Sequence, residues 1–436
     1  MQKQERLSVR KSFVRYAVQG SLGMLALSCY ILADTFFIAQ GVGADGLTAL
    51  NLALPVYSFV YGTGLMLGMG GAAQYSIHQS RGQQKKADGI FSMGLLLLGG
   101  AAAFYLLMGL FFSNGITRLL GADAKVYEMT HTYLRVIFLF SPFFMTNSFL
   151  LAFVRNDGAP HLAMAGMIAG SFGNVILDYI FIFPLGMGIF GAVLATGCAP
   201  VMSILILSPY LLGKKRSFHW TRPDWGSIPK LLATGLPSLL SELSSGIVII
   251  VFNFLILRLL GNTGVAAYGV IANLSLVVVA IYTGVSQGVQ PLISRAYGEG
   301  KREVQRILLQ MGFWTIVGVS VLLYAGIFFG ASPIAAVFNS ARDPLLQQTA
   351  EEGLKLYFTG AVFAGVNILL STTLAAVDRA VPAQIVAFLR GFGVIIPMAF
   401  LLSAVFGMTG IWLSFPAAEG ITAVAAVFLL QKKKWA

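Results

Sequence analysis

The stretch Cys29-Tyr-Ile-Leu-Ala-Asp-Thr-Phe-Phe-Ile38 sits inside a long apolar run, 13–40, and carries one charged side chain, Asp34. A run of that length crosses the hydrocarbon core of a bilayer as a helix. A carboxylate at mid-span costs about 2.5–3.5 kcal/mol on insertion scales. That cost is tolerated where the group faces protein and binds something there. A second aspartate, Asp178, lies deep in another apolar run of the same half of the chain. Two intramembrane carboxylates in one half point to an ion or proton site.

Composition sets the class. Of 436 residues, 57% are hydrophobic and 11% charged, and the mean hydropathy is +0.80. Soluble domains carry about 25% charged residues, so the chain is expected to be an integral membrane protein in contact with lipid on most sides. The net charge of +12 comes from short links between apolar runs, with no basic stripe interleaved with exposed aromatics. No nucleic-acid partner is expected. Cys29 and Cys198 fall within apolar runs, and His78, His131, His161 and His219 have no metal-ligand spacing. The basic lead from Arg6 to Arg15 precedes a hydrophobic run too long for a signal peptide, so it reads as a retained first span.

Twelve spans are expected, near 13–40, 50–78, 90–112, 131–154, 162–184, 188–212, 235–260, 268–294, 310–338, 355–377, 383–405 and 408–430. The fold class is therefore all-α, with an N-terminal six-helix lobe (1–212), a basic linker (213–234) and a C-terminal six-helix lobe (235–436). Basic residues collect at the N-terminus and in every second link: Arg81, Lys85 and Lys86; Arg155; Lys214, Lys215, Arg216, Arg222 and Lys230; Arg295, Lys301, Arg302 and Arg306; Arg379 and Arg390; Lys432, Lys433 and Lys434. The alternate links hold Arg118, Lys125, Arg258, Arg342 and Lys355. By the positive-inside rule both termini are cytoplasmic, as an even number of spans requires. Asp378 and Arg379 read as a loop-side pair, and Arg135 as the one basic residue embedded in a span.

The halves repeat. Val42-Gly-Ala-Asp-Gly-Leu-Thr-Ala49 aligns with Leu260-Gly-Asn-Thr-Gly-Val-Ala-Ala267, and Gly188-Ile-Phe-Gly191 with Gly407-Met-Thr-Gly410. Six spans per copy give both copies one orientation, related by an axis along the membrane normal, with a cavity between the lobes near the midplane. On this register Asp34 faces Phe252 and Asp178 faces the apolar 397–400. The carboxylates are confined to one lobe, which favours function over scaffold.

Asn174 and Asp178 are four apart and share a helix face. Thr196 on the sixth span adds a hydroxyl. With Asp34 these make a set of oxygens suited to a dehydrated monovalent cation, and equally to a proton shared between carboxylates. Asn174 and Thr196 alone would read as interhelical hydrogen bonds. In the second half, Glu419, Glu242 and Gln287 are candidates for a substrate cavity, and Tyr282 or Tyr268 for contact with an organic cation. No G-x-x-x-x-G-K-[ST] loop is present, nor any nucleophile–base constellation, so neither ATP hydrolysis in cis nor an enzyme is expected.

Ala33-Asp-Thr-Phe-Phe-Ile-Ala-Gln-Gly-Val-Gly43, Leu260-Gly261 and Ser286-Gln-Gly-Val-Gln-Pro291 followed by Tyr297-Gly298 resemble the multidrug and toxic compound extrusion (MATE) family across the chain. In the DNA-damage-inducible-type branch, a first-span aspartate, an Asn and Asp four apart on span five and a Thr on span six form the coupling-ion site. Asp34, Asn174, Asp178 and Thr196 match that pattern. Ser241-Glu-Leu-Ser-Ser-Gly246 is closer to Gram-positive drug-efflux members. The resemblance implies a monomeric antiporter of a bacterial plasma membrane that exports lipophilic cations against Na+ or H+ and needs no cofactor. A lipid or lipid-linked oligosaccharide flippase of the same superfamily is the alternative. Where many relatives carry a proline in span one, this chain has Ala17-Val-Gln-Gly20, so any bend rests on Gly20 and Gly23.

Overall fold

The computed structural model describes residues 3–214, 216–339 and 342–431. Lys215, Lys432, Lys433 and Lys434 of the basic series lie outside the described residues. Among the described residues, ten helical segments are long and apolar enough to cross a membrane. The first half contributes α1 (Lys3–Gly41), α2 (Ala44–Ser80), α3 (Gln84–Leu119), α4 (Tyr127–Asn156), α5 (Pro160–Ile182) and α6 (Gly188–Leu212). The second contributes α7 (Ile228–Gly298), α8 (Arg302–Phe338), α9 (Pro344–Tyr357), α10 (Ala361–Ala376), α11 (Ala380–Phe388) and α12 (Ile395–Gln431).

Two of the ten segments hold two spans each. As a single rod the 71 residues of α7 would reach about 105 Å, far beyond a hydrocarbon core of about 30 Å. Gly261, at φ 62 and ψ −153, breaks the helix. The chain then doubles back, so that Tyr268 stacks on Phe252 with ring centroids 5.4 Å apart. α12 turns likewise at Gly407, φ 58 and ψ −132, and Ser414 Oγ donates to the Met398 carbonyl at 3.3 Å. The turn Phe358–Gly360 joins α9 to α10, and the π-helical stretch Leu389–Gly393 carries α11 into α12. Among the described residues this gives the expected twelve spans, six to a lobe. The repeat is visible in the backbone: Gly43 and Gly261 have φ of 91° and 62°, and Gly188 and Gly407 have 57° and 58°. Side chains are strained in this region, so the same turn chemistry recurs at matching positions in both lobes.

The linker begins after Leu212 as expected and ends earlier than expected. α7 begins at Ile228 rather than 235, because Asp224 caps the preceding turn through Gly226 N–H at 3.1 Å and Pro229 fills a first-turn position that needs no donor. Residues 217–224 are strapped to the N-terminal lobe. Asp157 Oδ2 accepts the Ser217 N–H at 2.9 Å, Asp88 Oδ1 that of His219 at 3.1 Å, and Ser92 Oγ that of Thr221 at 2.8 Å. Phe218 is buried among Tyr75, Phe91 and Phe153.

The lobes meet backbone to backbone at the end that carries the termini. Gly20 lies on Gly284, Gly288 on Tyr16, Gly70 on Leu231 and Gly235 on Met66, so closely that a β-carbon would overlap the opposing chain. α1 is one uninterrupted helix. Its glycines serve packing instead of a bend, with Gly23 against Met167 Sδ. Polar contacts join the lobes at the same end: Arg155 with Gln287 at 2.8 Å, Asn156 with Gln290 at 3.1 Å, and Gln74 with Thr234 at 3.0 Å and Asp378 at 2.9 Å. Asp378 therefore pairs across the structure with Gln74 and with Lys230, while Arg379 donates to the Leu429 and Leu430 carbonyls; the two do not form the expected pair. Among the described residues, hydrogen bonds between lobes reach no further out than Ser28 Oγ to the Leu276 carbonyl at 3.5 Å.

Overpacking a tight contact typically costs about 1–3 kcal/mol. Gly235→Leu should lower the apparent Tm of the purified protein, while Gly99→Leu, where a β-carbon meets nothing within 4 Å, should not. Equal melting temperatures would mean that the lobes do not require this approach.

Candidate functional site

Three helices of the N-terminal lobe bring the four oxygen-bearing residues together. α1 supplies Asp34, α5 supplies Asn174 and Asp178 one turn apart, and α6 supplies Thr196. All four are buried, with Asp178 and Asn174 at 0% exposure. With its amide oriented to suit its neighbours, Asn174 donates to Asp178 Oδ2 at 3.0 Å and accepts the Thr196 N–H at 3.2 Å. The Asp34 and Asp178 side chains lie within hydrogen-bonding reach of each other. Thr196 Oγ1 donates to the Ala192 carbonyl at 3.1 Å and also meets the buried Tyr133 hydroxyl from α4. One oxygen on each carboxylate, Oδ1, has no hydrogen-bond partner. Neither aspartate forms an ion pair among the described residues.

The chemistry follows from that geometry. Two adjacent buried carboxylates without a basic neighbour need a cation between them or a proton on one of them. Hydroxyl and carboxylate oxygens suit a hard cation, and the unpartnered oxygens are free to ligate it.

A cavity of about 250 Å³ lies between the lobes, walled by α1, α2, α7 and α10. Glu242 and Gln287 are on its lining. Among the described residues Glu242 has no ion-pair partner. Arg390, in the π-helical stretch, also reaches the wall, but its charge is matched by Glu419 at 2.8 Å. Glu419 lies behind the wall, where Asn367 donates to its other oxygen at 2.6 Å. Tyr282 is buried away from the cavity with its hydroxyl on Ser320 at 2.7 Å, and Tyr268 stacks between Phe252 and Trp412. The aromatic wall consists instead of Tyr57 and Tyr61, stacked at 5.7 Å.

A side chamber of about 40 Å³ leads from these two tyrosines into the N-terminal lobe. It is roomy enough for water, and Ser203 Oγ and Asn147 Oδ1 face it without partners. Tyr30, one turn before Asp34 on α1, lines the chamber and its hydroxyl lies 3.4 Å from that of Tyr57. The chamber thus reaches between α1, α2, α4, α5 and α6, with Asp34, Asn174, Asp178 and Thr196 outside its lining. The tyrosines carried no signal in the sequence, since a Tyr in an apolar run reads as core. Arg135 lies within α4 as expected, with its side chain on the outer surface, but Arg155, 4% exposed, and the largely buried Arg390 are further cations inside the bundle. Arg155 ends α4 beside a turn, so position in sequence did not reveal that it points inward.

Comparison with known proteins agrees with this architecture. The MatE family model matches residues 21–180 and 237–401. The chain is similar to the "Multidrug export protein MepA" of Staphylococcus saprophyticus, with 30% identity over 433 residues, 98% of this chain and 94% of that one. It is 28% identical over 436 residues to the protein of the same name from Staphylococcus aureus strain MSSA476, again covering 98% and 94%. A solved structure described as the outward-facing conformation of a multidrug resistance MATE family transporter superposes with a TM-score of 0.91 at 22% identity, covering 97% of this chain and 96% of that one. A transporter of the MOP superfamily from Pyrococcus furiosus gives 0.90 at 21%, with the same coverage. At those identities the structural likeness establishes the fold, and the family match over most of the sequence establishes the rest: this chain belongs to the MatE family.

Proposed function

We propose that the chain is a secondary active exporter of organic cations and other amphipathic compounds, driven by inward movement of Na+ or H+ through a site made by Asp34, Asn174, Asp178 and Thr196. The observation that carries this reading is the buried carboxylate pair with unpartnered oxygens and no basic neighbour, a constellation that requires a cation or a proton. Relatives named as multidrug exporters support export as the direction. The protein is read as a monomer in a bacterial plasma membrane with both termini cytoplasmic, so the closed end faces the cytoplasm. Thiol labelling at Lys214→Cys from the cell exterior would contradict that orientation; labelling only after permeabilisation is expected.

Exchange follows from competition. A cation at the carboxylates neutralises the lobe, and loss of that cation restores charge that must be compensated. Tyr30, one turn before Asp34 on α1, lines the water-sized chamber that adjoins Tyr57 and Tyr61 of the central cavity. Asp34→Asn and Asp178→Asn should each abolish ion-driven efflux from proteoliposomes without loss of expression or helical content. Imposing the Na+ and pH gradients separately then identifies the coupling ion. Wild-type rates in both variants would remove the carboxylates from the mechanism.

Substrate charge is set by Glu242, the unmatched charge on the cavity wall. An unpaired carboxylate several ångströms from a monocation contributes about 2–3 kcal/mol at an effective dielectric near 20. Arg390 is neutralised by Glu419, which disfavours a pyrophosphate-bearing lipid and with it the flippase reading. Glu242→Gln should weaken binding of a cationic dye about ten-fold or more and leave a matched neutral dye within about two-fold. Equal loss for both dyes, or tighter binding of a matched anion to the native protein, would overturn the assignment.

A further inference from the structure

Arg155 holds a charge that the coupling and substrate sites leave unexplained. It is the penultimate residue of α4, 4% exposed, and it lies where the lobes close. Its Nη1 donates to Gln287 Oε1 of the other lobe at 2.8 Å, and Nη2 approaches Met167 Sδ at 3.8 Å. Among the described residues it forms no ion pair. The acid nearest in sequence, Asp157, makes no ion pair with it: Asp157 Oδ2 accepts from Tyr210 Oη at 2.6 Å and from Ser217 N–H at 2.9 Å on the strap, and its Oδ1 has no partner. Across this floor Asn156 donates to Gln290 at 3.1 Å, and Gln74 donates to Thr234 at 3.0 Å and to the Asp378 carboxylate at 2.9 Å; nearer the start of α1, Arg6 pairs with Glu303 of the other lobe at 3.1 Å.

A buried guanidinium without a counter-charge is a standing cost of the closed floor. Parting the lobes breaks one hydrogen bond to a neutral amide and admits water to the charge. The same charge sits directly behind Gln287, which lines the central cavity, so it opposes a cation settling at the bottom of the cavity while the floor is shut.

We propose that Arg155 is a positioning residue that keeps the floor openable: its uncompensated charge offsets part of the stability of the closed floor and sets the balance between the two access states. This rests on the exporter reading only in assuming that the lobes alternate in access. Coupling through Asp34 and Asp178 plays no part in it. The closed state is held by glycine contacts, amide hydrogen bonds and the peripheral Arg6–Glu303 pair, and Arg155 acts against them. Two chemically opposite changes should therefore push the equilibrium the same way. Gln287→Glu supplies the missing counter-charge and forms a charge-assisted pair. Arg155→Gln removes the charge and keeps an amide able to bond Gln287.

The test uses the full-length protein with Cys29 and Cys198 replaced and spin labels at Lys85→Cys and Arg302→Cys, which are exposed positions on opposite lobes beside the floor. Double electron–electron resonance distances are read in nanodiscs with no substrate and no gradient, so the result is independent of coupling. Both Gln287→Glu and Arg155→Gln should raise the ratio of short to long distances about five-fold or more, and Arg155→Lys should stay near the native ratio. If Arg155→Gln enriches the long distance, the residue is a clamp and the proposal fails. If Gln287→Glu leaves the ratio unchanged, the charge is not what sets the balance, and the proposal fails on that variant even should Arg155→Gln not fold.

Discussion

Two carboxylates from different helices face each other inside a lipid-embedded lobe, with nothing basic beside them. The remaining features of the molecule are arranged around that constraint. Burial removes water from Asp34 and Asp178, and the Asn174 amide fixes Asp178 against α6 by using the Thr196 backbone N–H. The hydroxyl of Thr196 and the phenol of Tyr133 then complete a polar shell in an otherwise apolar lobe. A structural ion pair would have matched each acid with a base, as Glu419 is matched with Arg390 in the other lobe. The contrast between the two lobes is the sharpest functional signal in the structure. One lobe neutralises Glu419 with Arg390, and in the other Asp34 and Asp178 form no ion pair among the described residues.

The interface between the lobes rests on close backbone contact and a few polar bonds. Glycines let the backbones touch without interlocking side chains, and the hydrogen bonds over them are made chiefly by Gln, Asn and Ser. Neutral amide bonds contribute about 0.5–1.5 kcal/mol each in net terms, so the closed floor is stable without being permanent. The strap through Phe218 works in the opposite sense. It binds residues 217–221 of the linker to the N-terminal lobe, so the covalent connection to the second lobe is confined to the few residues just before Ile228.

Much of this was legible in the sequence because a few residues are incompatible with any bland environment. Asp34 and Asp178 cannot sit in apolar runs without a purpose, and the spacing of Asn174 and Asp178 places both on one helix face before any coordinates are known. The aligned glycines anticipated the turns at Gly43, Gly261, Gly188 and Gly407, since positive φ selects for glycine wherever a turn of that kind recurs. What stayed hidden depends on rotation and partner choice, which apolar periodicity does not fix when a helix is hydrophobic on every side. Glu419 and Glu242 read alike as lone acids on apolar spans, yet one meets Arg390 and the other faces the cavity. Tyr282 and Tyr61 are equally anonymous, and only packing separates the core residue from the wall residue. Arg155, one step from a polar turn, read as a loop cation because the inward direction of its side chain is a property of the lobe interface. Thr196 was legible as an oxygen donor, but its contribution to Asn174 comes from the backbone.

On the proposed function, the carboxylate pair holds a cation that leaves when charge enters the cavity. The direct measurement is equilibrium binding of a cationic dye to the purified protein in detergent, with proton release followed by a pH indicator and Na+ release by an ion-selective electrode, and no gradient present. The account predicts stoichiometric release of one of the two ions with dye binding, absent in a protein lacking either aspartate. Dye binding with no ion released at any pH or Na+ concentration would contradict it.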